Sequence, residues 1–323
     1  MKALFTAFQQ TLRSGRLLIL LYGVTLVLGL LVALPFYNTL LVEDQNSLAF
    51  LNLLNGFDYT VFSDFMHRSG RTLTPLLSVG RWLGIIYVFL SVFFSGGILT
   101  RFTQFSTLSV TDSFTVGVFW QACSYYTGRF LRLFFVTLLF ICVGAGLWLV
   151  IGSLVGIALS DTVTERGEFG IGVLFFTLFA LTATLLFCIG DYAKVQMVLE
   201  DETNAFRAFG QAGRLVLRNL SRTYGLYWLL ILIGTGLFGT YFLLDDVILM
   251  SNWSTILVMF VVQQVLIFAR VGLKVWSLGT AYTVYQTLPK PAPVLRPVAF
   301  STSTNSQPTV TGPDKQESQG FVE

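Results

Sequence analysis

Charged residues are scarce in this sequence. Asp, Glu, Lys and Arg make up 11% of its 323 residues, against about 25% in an average soluble domain. Hydrophobic residues account for 54% and aromatic residues for 15%, including 31 Phe. A soluble core could not bury this much apolar surface, so the composition predicts that lipid surrounds most of the chain.

Residues that serve catalysis or metal binding are also few. Of the three cysteines, Cys142 and Cys188 lie in apolar runs and Cys123 in a segment expected to be cytoplasmic, which does not suggest a disulfide framework. His67 is the only histidine, whereas a metal site needs several ligands. The sequence contains no glycine-rich phosphate loop, nucleophile elbow or zincin motif. We therefore expect no enzymatic activity, no metal and no cofactor.

Long apolar runs are what the sequence has in abundance. A helix needs about 20 residues to cross the hydrocarbon layer, and six runs meet that length. They cover residues 17–37, 77–100, 133–159, 170–189, 224–244 and 253–275. The pattern predicts an all-α integral membrane protein, a bundle of six transmembrane helices. The first run is longer than the apolar part of a secretory signal, so we interpret it as an uncleaved span.

Lys and Arg are unevenly divided between the two sides that six spans define. The segments on the side of the termini hold 16 of the 20, and the segments on the other side hold four. Positive residues near span ends are retained in the cytoplasm, which predicts cytoplasmic N and C termini and an external segment at 41–75. A bacterial inner membrane is the expected location. Because the basic residues lie at helix ends beside a membrane, we expect no nucleic-acid partner.

One basic amphipathic stretch, residues 200–222, lies between two spans. At a period of 3.6 residues, its apolar face carries Ala205, Phe209, Ala212, Val216 and Leu220. Its opposite face carries Arg207, Gln211, Arg214, Arg218 and Arg222. Such a helix is expected to lie on a membrane surface with its apolar face in the lipid. Arg207, Arg214, Arg218 and Arg222 are the predicted binding residues for anionic lipid headgroups.

Part of this stretch is repeated. The pattern F-x-A-F-x-Q-x-x-R occurs at 206–214 and again at 5–13, and Phe119 and Gln121 belong to a degenerate copy. Each copy precedes a pair of apolar runs, which predicts three repeats of a surface helix plus two spans at about 1–100, 101–195 and 196–288. Residues 1–288 would form the membrane domain. The proline-rich polar segment 289–323 is predicted to be a disordered cytoplasmic tail.

A few polar side chains fall inside the predicted spans. Asp191 and Arg270 lie at similar depth near the cytoplasmic ends of the fourth and sixth spans, which predicts an interhelical ion pair between them. Lys194 and Lys274, one turn closer to water, could replace Arg270 as partners of Asp191 or extend towards lipid phosphates. Gln263 and Gln264 lie near mid-depth and are the candidate polar pathway.

The stretch at 198–219 also resembles a known pattern. It contains Val198-Leu199-Glu200, Ala205-Phe206 and the motif GRLVLRN at 213–219, and an apolar span follows. This combination resembles a recurrent pattern in multi-span bacterial membrane proteins of unknown function. It is similar to the membrane domain attached to some glycerophosphoryl diester phosphodiesterases. The resemblance implies the helical bundle. It implies no phosphodiesterase activity, because the catalytic domain with its metal-binding acids is absent from this sequence.

Two functions fit these observations. The first is a non-enzymatic scaffold or accessory factor of the bacterial inner membrane, with membrane lipids as its partners and no protein partner assigned. The second is a small-solute transporter or channel, which requires polar groups gathered between the helices around a cavity. Only Gln263, Gln264 and the glycines of the third span point to such a cavity.

Overall fold

Helices account for all the regular secondary structure that can be described. The computed structural model describes residues 2–44, 59–107, 115–159, 164–248 and 252–288. Within these ranges there are eight α-helices and no strands. The helices are α1 (Lys2–Arg13), α2 (Gly15–Asp44), α3 (Tyr59–Thr107), α4 (Val116–Leu159), α5 (Glu165–Leu199), α6 (Ala205–Arg218), α7 (Leu220–Val247) and α8 (Trp253–Thr287).

Six of these helices, α2, α3, α4, α5, α7 and α8, are long and apolar enough to cross a membrane. The predicted number of spans and the all-helical class are therefore confirmed. The predicted tail, 289–323, lies outside the described residues, as does part of the expected external segment. The rest of that segment, from Tyr59 onward, belongs to α3 and precedes its candidate span, which starts at Leu77, so its external location stays a prediction.

The middle surface segment also differs from the prediction. We expected a separate surface helix before a span starting at residue 133, but α4 is continuous over 44 residues, about 66 Å at 1.5 Å per residue. The chain does break before the other two corresponding spans, at Ser14 between α1 and α2 and at Asn219 between α6 and α7. Residues 116–132 contain no proline, and their two glycines, Gly117 and Gly128, cost only about 1 kcal/mol each.

The spanning helices are arranged around a central trio. Helices α3, α5 and α8 contact one another. Each remaining span packs against two of them: α2 against α3 and α8, α4 against α3 and α5, and α7 against α5 and α8. The short helices add to this arrangement, because α1 packs on α8 while α6 packs on α5 and α4.

The buried side chains are concentrated at the end of the bundle that carries α1 and α6, which we call the packed end. Its largest fully buried residues include Phe102, Phe130, Leu133, Met197 and Val275. On the other half, apolar residues such as Leu149, Phe176 and Leu243 are about 70% exposed, as expected where lipid is the solvent. The packed end is therefore the part of the protein with a close-packed interior.

Two glycines allow the closest helix contacts in the packed end. A Cβ at Gly279 of α8 would lie 2.3 Å from the Phe102 ring, and one at Gly97 of α3 would lie 2.3 Å from the Phe119 ring. Neither distance is sterically possible. Glycine at these positions lets an aromatic ring of a neighbouring helix lie directly on the backbone.

Candidate functional site

Polar side chains from four helices meet in one pocket of about 350 Å³. It lies between α3, α5, α7 and α8, and we call it the basic pocket. Its polar lining consists of Ser91, Ser95, Asp191, Lys194, Tyr227, Arg270, Lys274 and Ser277. Leu278 also lines it and is buried in the core, so the pocket adjoins the packed end.

Helical spacing explains how each of the three central helices contributes to the pocket. Residues three or four apart share a helix face. Ser91 and Ser95 are four apart on α3, and Asp191 and Lys194 are three apart on α5. On α8, the series Arg270, Lys274 and Ser277 continues one face over two turns. Each helix therefore turns a short polar face towards the same space.

Positive charge is in excess in the basic pocket. Three basic residues and one acidic residue line it, which leaves two formal positive charges uncompensated. Lys194 donates a hydrogen bond to Asp191 Oδ1 at 2.8 Å. Lys274 Nζ donates to Ser91 Oγ and lies 5.7 Å from the centre of the Tyr87 ring. Arg270, which is exposed to solvent or lipid, has no ion pair within the described part of the chain.

The predicted pair of Asp191 and Arg270 therefore needs a correction. Both residues line the basic pocket, as expected from their similar depth. The carboxylate of Asp191, however, pairs with Lys194, one of the two alternatives weighed from the sequence. The reason is local, because a partner one turn away on the same helix is positioned by the helix itself and needs no reach across the bundle.

Gln263 and Gln264 do not line the basic pocket. The Tyr22 hydroxyl donates to Gln264 Oε1 at 2.8 Å, and Gln263 Nε2 donates to the Tyr241 hydroxyl at 3.4 Å. These bonds connect α8 to α2 and to α7. The amides act as interhelical contacts here, and a polar pathway through them stays a prediction.

The four arginines predicted to bind lipid all project from the protein. Arg207, Arg214, Arg218 and Arg222 are exposed, and among the described residues only Arg207 has an acidic partner, Glu202 at 3.9 Å. The N-terminus of α6 is capped by Asn204, whose side chain accepts from the backbone N–H groups of residues 206 and 207.

The apolar face of α6 differs from the prediction in what covers it. Ala208, Ala212 and Val216 are completely buried, because the helix packs on α4 and α5 rather than into lipid. Leu220, predicted for the same face, is 43% exposed, since the helix breaks at Asn219 and Leu220 begins α7.

The link between α5 and α6 is tied to two other helices. Glu200 accepts hydrogen bonds from the Tyr285 hydroxyl at 2.6 Å and from Gln196 Nε2 at 3.0 Å. Asp201, whose backbone is left-handed with a φ of 50°, pairs with Arg129 of α4. Tyr285 lies 85 residues from Glu200, and Arg129 lies 72 residues from Asp201, so no local pattern could have identified these two pairs.

The sequence reasoning also missed the hydroxyl residues of the basic pocket: Ser91, Ser95, Tyr227 and Ser277. The available signal was the four-residue spacing of Ser91 and Ser95 within an otherwise apolar helix. In the described ranges, no group of three or more His, Cys, Asp or Glu side chains could hold a metal ion.

The six long apolar helices of the described ranges indicate an integral membrane protein. No family model, curated protein or solved structure matches the chain. The resemblance to the phosphodiesterase-linked membrane domains therefore stays a prediction.

Proposed function

We propose that the protein is a non-enzymatic integral membrane protein of a bacterial inner membrane that binds a small anionic group in the basic pocket. The observation that carries this proposal is the excess of positive charge, because neither Arg270 nor Lys274 has a carboxylate partner in the described residues. Charges within an apolar bundle are costly unless they are paired. A bound anion would supply the missing partner.

The basic pocket supports the transporter or channel alternative more directly than the scaffold function. Binding sites of transporters lie between helices, where polar groups converge within the bundle. This pocket lies among the three central helices and has a volume in the range typical of small-molecule sites, about 300–1,000 Å³. The transported or bound solute would be an anion.

A scaffold or accessory factor is the second candidate, favoured by α6. The helix is held by its buried face while Arg207, Arg214, Arg218 and Arg222 project outward. Near an anionic membrane surface each basic residue contributes about 1 kcal/mol, reduced by salt. The four arginines would then hold anionic lipid at this end of the bundle.

The proposed organisation is three repeats with cytoplasmic termini. Its support is the contact pattern, in which α2, α4 and α7 each pack on the second span of their own repeat and on that of the preceding repeat. Helices α1 and α6 likewise pack on α8 and α5, the second spans of the preceding repeats in cyclic order. A pseudo-threefold arrangement of three equivalent units would produce these contacts.

The proposed orientation can be checked by cysteine labelling. Asn219 precedes α7, and Asn252 follows it and precedes α8, so a membrane-spanning α7 would separate them on opposite sides of the membrane. A membrane-impermeant thiol reagent should label Asn252→Cys in intact cells and Asn219→Cys only after permeabilisation. The wild-type protein controls for its native cysteines. The reverse pattern would show that the termini are external.

Anion binding is tested by thermal unfolding of the purified full chain in detergent. At 100 times the dissociation constant a ligand adds about 2.7 kcal/mol, so sulfate or phosphate should raise the midpoint by roughly 5 °C. Chloride at equal ionic strength should not raise the unfolding midpoint. The double variant Arg270→Gln/Lys274→Gln should lose this response.

The matched control is Arg214→Gln/Arg218→Gln, which removes the same charge from α6 and should keep the response. If the wild type shows no anion response, the proposed site is wrong. If only the α6 variant loses the response, together with its co-purified anionic lipid, the scaffold candidate is favoured.

A further inference from the structure

The basic pocket has features that narrow the class of its ligand. Resting on the proposed anion site, we infer that the pocket selects a dianionic oxyanion, chemically a small phosphate monoester, over singly charged anions. Four observations lead to this class: the charge excess, the supply of hydrogen-bond donors, the size of the pocket and its apolar wall.

The two uncompensated positive charges of the basic pocket match a ligand with two negative charges. Asp191 compensates Lys194 through their direct ion pair, while Arg270 and Lys274 remain without a carboxylate. These two lie four residues apart on one face of α8, where like charges repel. A singly charged ligand would leave one of them uncompensated, whereas a dianion bound to both removes the repulsion as well.

The polar groups are mostly donors. Arg270 offers a planar fork that suits two oxygens at once, and Lys274 offers a point charge. Tyr227 and Ser277, which carry hydroxyl groups, line the same space. The only carboxylate of the lining is already engaged by Lys194. A ligand with several acceptor oxygens on one centre satisfies such a lining better than an ammonium or a sugar would.

Size and the remaining wall limit the organic part of the ligand. A volume of about 350 Å³ is near the lower end for small-molecule sites. The wall beside the charges is apolar and comes from Leu230, Ile231, Gly234 and Leu273. The ligand is therefore a compact monoester with an apolar or short organic group. Both a soluble phosphate monoester and the headgroup of a phosphatidic acid have this chemistry.

Asp191 has a distinct expected role in this scheme. Changing Asp191→Asn raises the charge excess from two to three and releases Lys194. Binding of a dianion should then become tighter, by about three- to tenfold. A purely structural ion pair would have the opposite effect, because its loss would loosen the pocket and weaken binding. Asp191→Glu keeps the charge and serves as the control.

The test compares dissociation constants of sulfate and nitrate for the purified full chain in detergent, by calorimetry. Sulfate should bind about tenfold more tightly than nitrate, and Asp191→Asn should increase the affinity for sulfate. If the two anions bind with equal affinity, the dianion preference is overturned. The anion site itself would still stand, provided that the double variant Arg270→Gln/Lys274→Gln binds neither anion. Binding of neither anion would overturn the site.

Competition against sulfate then identifies the source of the ligand. Inorganic phosphate is compared with mixed micelles containing phosphatidic acid, a monoester, and with phosphatidylglycerol, a diester, as the matched lipid. Displacement by inorganic phosphate but by neither lipid supports a soluble phosphate compound as the source, and displacement by phosphatidic acid but not phosphatidylglycerol supports a lipid monoester. Equal displacement by both lipids would overturn the monoester class. Size-exclusion chromatography of each variant excludes loss of folding as the cause.

Discussion

Replacing Gly279 with leucine is expected to disrupt the packed end of the bundle. A Cβ at this position would lie 2.3 Å from the Phe102 ring, and Phe102 is itself only 1% exposed, so a shift of the ring would disturb its core neighbours. Overpacking typically costs about 1–3 kcal/mol, and more where the neighbour cannot shift. We expect a large drop in the unfolding midpoint in detergent and a loss of monodisperse protein.

Gly272→Leu is the matched control for this change. It lies on the same helix, and a Cβ there would meet nothing within 4 Å. Leucine also favours helix formation over glycine by roughly 0.5–1 kcal/mol, so this variant should be neutral or slightly stabilised. The double variant Gly279→Leu/Phe102→Ala should recover part of the loss, because it removes the ring that clashes. Equal stability of the two leucine variants would contradict the close contact between α3 and α8.

Introducing a carboxylate at Ala212 should detach α6 from the bundle. Ala212 is completely buried in the face that packs on α5 and α4. A buried, unpaired charge costs on the order of 3 kcal/mol or more. Ala212→Glu should therefore make α6 accessible to limited proteolysis and lower the stability of the packed end.

The comparison for Ala212→Glu is Gly210→Glu, on the exposed side of α6 where a side chain meets open space. Surface changes of this kind are usually within about 0.5 kcal/mol, so protease resistance should be retained. If the apolar face of α6 lay in lipid instead, Ala212→Glu would weaken membrane association of the helix without exposing the core contacts. Identical proteolysis of the two variants would argue against the buried face.

The packed end and the basic pocket are linked through α3 and α8. Ser95 and Leu278 line the pocket and are almost fully buried. On α3, Phe102 lies about two turns after Ser95, and on α8, Gly279 directly follows Leu278. Close packing on α3 therefore fixes α8, the helix that carries Arg270 and Lys274. Preorganised charges bind an anion without first having to be ordered, which favours affinity.

The sequence alone determined the class of protein and the number of spans. Whether a run of 20 residues prefers lipid is a local property, since it depends on side-chain transfer free energies and on a helix satisfying its own backbone hydrogen bonds. For the same reason, helical periodicity separated the buried Ala205, Phe209, Ala212 and Val216 from the exposed Arg214 and Arg218, because both faces belong to one continuous helix.

Only the tertiary structure decided what covers each apolar face and which polar residues meet. Lipid tails and core side chains are equally apolar, so hydropathy could not tell that α6 packs on α5 and α4 rather than on the membrane. Ser91 and Asp191 lie 100 residues apart in the chain, and Asp191 and Arg270 lie 79 residues apart. Their convergence in one pocket depends on how α3, α5 and α8 rotate against one another, and that rotation is set by interhelical contacts such as Phe102 on Gly279.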